Sequence, residues 1–257
     1  MPAIAMENLL EHHWHHLPVE EIVELLESNS ETGLSADEAT KRHNNFGPNE
    51  LTSKKGKPLW LRFLLQFNQP LIYILLIAGA VTLFLQDWVD AGVIFAVTLI
   101  NSTIGFIQES KAENAIAALA KSVTTEATAI RDRQKLRIPS TQLVPGDLVQ
   151  MASGDKVPAD LRLVKLRSLQ IDESGLTGES VPVEKTTRRL SRETPLADRT
   201  NMAYAGSLVT AGQGSGIVVA IADATETGRI SQLMERHTSL ETPLTRKIQK
   251  FSKYLLY

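Results

Sequence analysis

The chain has no cysteine among its 257 residues, which excludes disulfides and thiolate metal sites and leaves no thiol signature of a redox compartment. It has no excess of positive charge either. A net charge of −2 leaves no broad basic surface of the kind that holds nucleic acid. The start, MPAIAMENLLEHHWHH, lacks a basic opening and an apolar run ending in small residues, so it does not read as a secretory signal. No Gly-rich loop ending in Gly-Lys-Ser or Gly-Lys-Thr occurs, so a Walker-type phosphate cradle is missing. What is present is ordinary in bulk: 43% hydrophobic and 22% charged residues, enough for one large domain or two small ones with an ample core.

That average conceals unlike regions. Residues 18 to 28, PVEEIVELLES, place Ile22, Val23, Leu25 and Leu26 at helical spacing. Pro18, Glu20 and Glu21 suit a helix start, where unpaired N–H groups favour negative charge. Ser35-Ala36-Asp37-Glu38 predicts a second helix opened by a capping box, and Gly47-Pro48 its end. A basic stretch follows at Lys54, Lys55, Lys57 and Arg62. Then Pro70 to Leu85, PLIYILLIAGAVTLFL, runs without a charge, and so does Ala91 to Ile107 beyond a polar link at residues 86–90. The first run is short against the roughly 17–25 residues a span needs; Gln69 and Gln86 extend it if they sit at the interfaces. A buried helical hairpin of a soluble protein is the other reading. Apolarity all round the helix, Trp88 at an interfacial place, and the charge pattern favour a membrane hairpin. Lys54, Lys55, Lys57, Arg62, Lys111 and Lys121 lie outside the hairpin and only Asp87 and Asp90 in its link, which puts both flanks in the cytoplasm.

From Gln108 the second helix is expected to continue as a stalk, QESKAENAIAALAK, with Ala112, Ala115, Ile116 and Leu119 on one stripe. Residues 124 to 222 then carry short strand signals: Thr125 to Arg131, Leu148 to Ala152, Leu161 to Leu166 and Gly216 to Ala222. Breakers separate them at Pro145-Gly146-Asp147, Ser153-Gly154-Asp155, Gly175, Gly178 and the series Gly212, Gly214, Gly216. This predicts a compact all-β domain, followed by a helix over 223–237.

Leu176-Thr177-Gly178-Glu179-Ser180, after Ile171-Asp172-Glu173-Ser174-Gly175, falls on a predicted loop. Gly175 and Gly178 permit positive φ and close backbone approach. Glu179 is a carboxylate at the tip, able to orient or deprotonate a water. Thr177 and Ser180 add hydroxyls that bond locally or meet a phosphate. Composition alone is equally satisfied by a plain solvated turn.

LTGES preceded by Asp-x-Ser-x resembles the signature loop of the actuator domain of P-type ATPases, a string that rarely arises by chance. Val144-Pro145-Gly146-Asp147-Leu148-Val149 and Gly154-Asp155-Lys156-Val157-Pro158-Ala159-Asp160 resemble the turns that precede it in that family. Ala112-Glu113-Asn114-Ala115-Ile116 resembles the calcium-pump stalk. Tyr204-Ala205-Gly206-Ser207 and Thr227-Gly228-Arg229-Ile230 resemble the end of the domain, and Thr242-Pro243-Leu244 the linker to a third transmembrane helix. The leading helices with Phe46-Gly47-Pro48-Asn49 resemble the N-terminal segment of type II cation pumps.

The resemblance implies a mixed fold: a two-helix transmembrane hairpin plus an all-β actuator domain, a distorted jelly roll, with a small helical N-terminal segment. It implies boundaries at 1–58 for that segment, 59–122 for the two transmembrane helices and stalk, 123–238 for the actuator, and 239–257 for a linker and the start of a third transmembrane helix. The apolar run from Phe251 to Tyr257 makes the end read as truncated. In the family, ATP phosphorylates an aspartate of a separate domain, and the actuator then rotates so that its loop glutamate positions the water that hydrolyses the acyl phosphate. That role falls on Glu179, with Thr177, Gly178 and Ser180 shaping the loop and shielding the site. ATP and magnesium serve the complete pump. The motif Asp-Lys-Thr-Gly-Thr does not occur here, nor do a nucleotide-binding domain and an ion-binding helix with a Pro-Glu break. This chain alone is therefore expected to bind no cofactor and to be inactive. The implied partners are the lipid bilayer, a transported cation (calcium first) and the phosphorylation, nucleotide and transmembrane parts of the same pump. The implied location is an integral membrane one, the plasma membrane in a prokaryote. The alternatives are a non-catalytic, membrane-anchored interaction module and an inactive fragment.

Weaker signals have bland readings. His12, His13, His15 and His16 suit zinc or copper, or a flexible tail that happens to be His-rich. Asn101-Ser102-Thr103 matches a glycosylation sequon but lies inside an apolar run, where packing between helices is the better use. Arg188, Arg189 and Arg192 form a solvated basic loop or a contact for a phosphorylated domain.

Overall fold

A computed structural model describes residues 12–52, 58–122 and 125–237, the side chains of 116–122 and 235–237 aside. The described residues fall into two compact units: 12–52 with 125–237, and 58–122. The basic stretch at 54–57, the Thr242-Pro243-Leu244 linker and the run from Phe251 to Tyr257 lie outside the described residues.

The chain enters through two short helices. α1 (Val19–Leu25) starts behind Pro18 with Glu20 and Glu21 in its first turn and buries Ile22. α2 (Ala36–Phe46) is capped by Ser35, whose hydroxyl accepts from the Glu38 N–H at 3.2 Å. The expected box is half formed, because the Glu38 carboxylate takes Arg42 Nε at 2.8 Å instead. Gly47, at φ 78°, closes the helix on the His43 carbonyl.

The helical unit holds α3 (Leu59–Gln66), α4 (Pro70–Phe84) and α5 (Trp88–Ser122). α5 contains a window, Trp88–Ala115, long and apolar enough to cross a membrane. α4 is not: its 15 residues rise about 22 Å against a hydrocarbon core of about 30 Å. The expected pair of spans is corrected accordingly. One helix qualifies by itself, and a second crossing exists only if α3 and α4, bent by 71°, are taken as one broken span. The break has a local cause: Pro70 lacks the N–H that would continue α3 into α4, and it serves as the first residue of α4. α4 and α5 pack along each other where Gly79 leaves room; a Cβ there would sit 3.1–3.3 Å from Phe95 and Ile94. Arg62 pairs with Glu113, and Gln66 with Glu109, fastening α3 to α5.

The other unit is built on one antiparallel sheet. Its strands are β1 (Glu126–Arg131), β2 (Gln134–Pro139), β3 (Leu148–Ala152), β4 (Asp160–Asp172), β5 (Val183–Glu184), β6 (Met202–Ala203) and β7 (Leu208–Ala220). The order is β2-β1-β3-β7-β4-β5, with β6 added on β4. β1 and β2 form a hairpin whose two turn residues, Asp132 and Arg133, both have positive φ, as a type I′ turn requires. β4 and β7 are long and mutually paired, with four register shifts. Gly212, Gly214 and Gly216, expected as breakers, lie inside β7. At these irregularities β4 comes so close that side chains would collide: a Cβ on Gly212 would stand 2.0 Å from the Ser168 carbonyl oxygen.

Alternation along the strands divides the core. Val149, Met151, Leu161, Leu163, Leu169, Ile171, Val209 and Val218 belong to one buried cluster. Leu148, Ile217 and Val219 point the other way, into a second cluster with Trp14, Ile22, Leu26 and Tyr204. The N-terminal segment is thus the cover of one sheet face. Arg42 fastens it by donating to the carbonyls of Leu26 at 2.7 Å and Pro145 at 2.9 Å. Asn49 adds bonds to the Ser140 and Pro158 carbonyls and to the Ala222 N–H. The expected helical N-terminal segment and antiparallel sheet domain are thus both present. Two helices cover the domain, a single turn, α6 (Ser174–Thr177), interrupts it, and α7 (Glu226–His237) closes it.

Candidate functional site

The signature loop begins as a helix and ends as an open tip. Asp172 Oδ1 accepts from the Ser174 N–H at 2.9 Å, which turns the chain out of β4; these bonds hold the Asp172 carboxyl below its ordinary value. The Glu173 carbonyl then takes the N–H groups of Leu176 and Thr177, both at 2.9 Å, and the Thr177 hydroxyl at 3.1 Å. So Leu176 and Thr177, expected on a loop, belong to α6. Gly175 lies within this turn without positive φ. Gly178 does have it: φ 79°, ψ 0°, a left-handed cap donating to the Ser174 carbonyl at 2.9 Å. The Glu179 N–H donates to Thr177 Oγ1 at 3.3 Å. Glu179 and Ser180 are exposed, and Val181 beyond them is 75% exposed. The loop therefore gathers Thr177, Gly178, Glu179 and Ser180 into one short projection whose carboxylate faces solvent, free to meet a water or another surface.

The base is of opposite character. Glu173 Oε1 and Lys185 Nζ lie 2.5 Å apart with both side chains 1% exposed. Burial pushes the Glu173 carboxyl up and the Lys185 ammonium down, and each charge partly offsets the other's shift. Leu176 packs on the second core cluster, below the tip.

The neighbouring motifs prove to be joints. Asp147 of the Val-Pro-Gly-Asp turn is fully buried, binds Arg131 through both oxygens at 2.8 and 2.6 Å, and accepts the Val144 N–H. Asp160 accepts the N–H groups of Ala205 and Glu226, each at 2.8 Å, linking β4 to the Tyr204–Ser207 turn and to the start of α7. Burial pushes its carboxyl up to about 7, against the two N–H donors. Thr227 Oγ1 bonds the Ala205 carbonyl, and Thr225 caps α7 by accepting from the Gly228 N–H.

The four clustered histidines are no flexible tail. His15 is buried, with Nε2 on the Arg192 carbonyl at 3.1 Å. His16 Nδ1 meets the Leu190 carbonyl at 3.0 Å, and Arg189 binds the His16 carbonyl and ring. Arg189 of the basic run is thus held by the N-terminal segment. Burial and the charges of Arg192 and Arg199 push His13 below its ordinary value. In the apolar helices, Thr98 and Thr103 return their hydroxyls to the carbonyls one turn back, and Ser102 is buried.

Sequence reasoning did not find the Glu173–Lys185 pair or Arg162. Arg162 is completely buried and donates to five carbonyls, among them Trp14, Leu17 and Thr187; burial lowers its guanidinium to about 10. A lysine twelve positions after a glutamate carries no local signal, and a strand arginine reads as solvated until the strand is known to be covered.

Comparison with known proteins matches two parts of the chain to described families. Residues 121–235 match the P-type ATPase actuator domain, and residues 14–82 match the cation transporter/ATPase N-terminus. The chain is 64% identical over 243 residues to the cation-transporting ATPase pma1 of Synechocystis, covering 95% of this chain and 27% of that protein. It is 52% identical over 241 residues to the probable cation-transporting ATPase F of Mycobacterium tuberculosis, covering 94% and 27%. It is 45% identical over 226 residues to the calcium-transporting ATPase lmo0841 of Listeria monocytogenes, covering 88% and 26%. The chain therefore spans about a quarter of the length of these relatives.

Proposed function

The chain belongs to the P-type cation-transporting ATPases, whose N-terminal segment and actuator domain it carries, and on that premise we propose that it serves as the actuator of an ATP-driven cation pump. Glu179 orients the water that attacks an aspartyl phosphate held on another part of the pump, while Gly178 and Thr177 set the tip's shape and Ser180 flanks the phosphate. The observation that carries this is the exposed Glu179 carboxylate projecting from a base that is fully packed. In-line attack on an acyl phosphate needs little more from a protein than a positioned water and some base strength.

ATP and magnesium belong, on this reading, to the parts of the pump that form the phosphoenzyme. The 257 residues contain no Asp-Lys-Thr-Gly-Thr. The chain alone would form no phosphoenzyme. For the membrane we propose that α3 with α4 makes one broken span and α5 the other, both flanks cytoplasmic, in a prokaryotic plasma membrane. The placement of lysine and arginine outside the hairpin supports this. Calcium is the proposed cation. It is supported by the stalk sequence AENAIAAL and by the calcium-transporting relatives at 39–45% identity; the two more similar relatives name no particular ion.

The test is a chimera in which this chain replaces the matching segment of the Synechocystis cation-transporting ATPase. With Glu179→Gln, phosphoenzyme is expected to form from labelled ATP at the usual rate and to decay about 10²–10⁴ times more slowly. Decay at the parent rate would remove Glu179 from the chemistry.

A further inference from the structure

Glu173 and Lys185 stand at the two ends of the segment that carries the signature loop. Glu173 follows the last residue of β4 and Lys185 the last residue of β5. The ladder beneath them has two pairs only, Gln170 with Glu184 and Ile171 with Val183. The ion pair crosses this ladder: Glu173 lies beyond its outer end, and Lys185 beyond its inner end, where its N–H donates to the Leu169 carbonyl at 2.9 Å. Its atoms lie 2.5 Å apart, both side chains are 1% exposed, and neither carboxylate oxygen nor the ammonium has any other hydrogen-bond partner among the described residues. A charge buried this way tolerates little displacement, because separation leaves each partner unsolvated.

The link also reaches the tip. The Glu173 carbonyl holds the Leu176 and Thr177 N–H groups and the Thr177 hydroxyl, and that hydroxyl in turn accepts the Glu179 N–H. The residue whose side chain is pinned to Lys185 therefore organises, through its main chain, the backbone from which the Glu179 carboxylate projects.

We propose that the Glu173–Lys185 pair is a positioning device for Glu179: it pins both ends of residues 174–184, so that the loop meets the aspartyl phosphate in one preset shape. This rests on the actuator role proposed above. It differs from a plain stabilising contact in a measurable way. Apolar residues of similar volume often replace a buried ion pair without loss of stability, but they supply no directional link.

The Glu173→Met/Lys185→Met double variant separates the two. In the full 257-residue chain in detergent, its urea midpoint is expected to equal or exceed the parent's. Amide exchange over residues 176–182 is expected to quicken about tenfold. In the Synechocystis chimera, phosphoenzyme should form with the parent's dependence on ATP concentration and decay about 10- to 100-fold more slowly, as for a misplaced catalytic group. Decay is read per phosphoenzyme formed, so only folded molecules enter the rate. If the double variant yields no phosphoenzyme, Glu173→Asp, which keeps both charges and shortens the reach by one methylene, decides instead. A several-fold slower decay supports the device, and the parent rate overturns it. Parent-rate decay in either variant, while Glu179→Gln still blocks hydrolysis, refutes the positioning role and leaves the actuator reading intact. If Glu179→Gln itself decays normally, the actuator reading fails and takes this inference with it.

Discussion

Asp147, Asp160, Arg162, Glu173 and Lys185 of the β-rich unit are each less than a tenth exposed, whereas Leu71, Phe84, Val89 and Ile100 of the helical unit are each more than half exposed. One unit hides charges and the other displays apolar side chains. The first pattern is tolerable because nearly every buried charge has partners: Asp147 holds Arg131, Asp160 holds two N–H groups, and Arg162 serves five carbonyls. Such a network makes the head that carries Glu179 stiff. The second pattern suits a hydrocarbon solvent, in which an outward Leu costs nothing and an outward charge is expensive. Only 17% of the apolar 18-residue window within Trp88–Ala115 is buried among the described residues.

The contrast can be broken at its strongest point first. Asp147→Ala leaves the Arg131 guanidinium with the Gln142 carbonyl alone and takes the acceptor from the Val144 N–H, and should cost about 3–5 kcal/mol in a urea titration. A loss under about 1 kcal/mol would mean that the buried charges are not what holds the head together.

Next comes a matched pair of substitutions. Ile100→Arg, near the middle of the α5 window, should disfavour membrane insertion by about 2.5–3.5 kcal/mol, read as the inserted fraction in microsomes. Leu136→Arg, on the exposed face of β2, should change stability by no more than about 0.5 kcal/mol. Equal tolerance at both positions would erase the difference between the units.

The smallest effect is a pH slope. The Asp160 carboxyl is raised to about 7 in the folded protein. The native state therefore retains a proton that the unfolded chain has lost above its ordinary value near 4. Stability from this group is complete at low pH and declines as pH rises through 7, by about 1.4 kcal/mol between pH 6 and pH 8. Unfolding midpoints across that range should fall in the parent and stay level in Asp160→Asn.

Much of this was legible in the sequence wherever the cause is local. Ser35 announces α2 because its hydroxyl reaches an N–H three residues away. Leu148 to Ala152, a short apolar run between the breakers at 145–147 and 153–155, is a strand over that same range. Gly178 sits at positive φ where a tip must turn. β2 escaped because its residues are almost all exposed and its apolar pattern amounts to Leu136 and Ile138 alone, set between charges. The length of β4 and β7 escaped because charged and glycine positions interrupt their apolar pattern. The histidines misled because a polar run reads as a tail until something is seen to bind it.

What the residues alone determined about this protein is its apolar runs, its caps and turns, and the acidic tip, all set by chemistry within a few positions along the chain. What only the tertiary structure decided is how that tip is held. The covering of one sheet face by Trp14 to Leu26, the approach of β4 on the glycines of β7, and the meeting of Glu173 with Lys185 depend on parts far apart in sequence. Burial gives those meetings their strength, and burial is a property of the assembled fold, not of any short stretch of it.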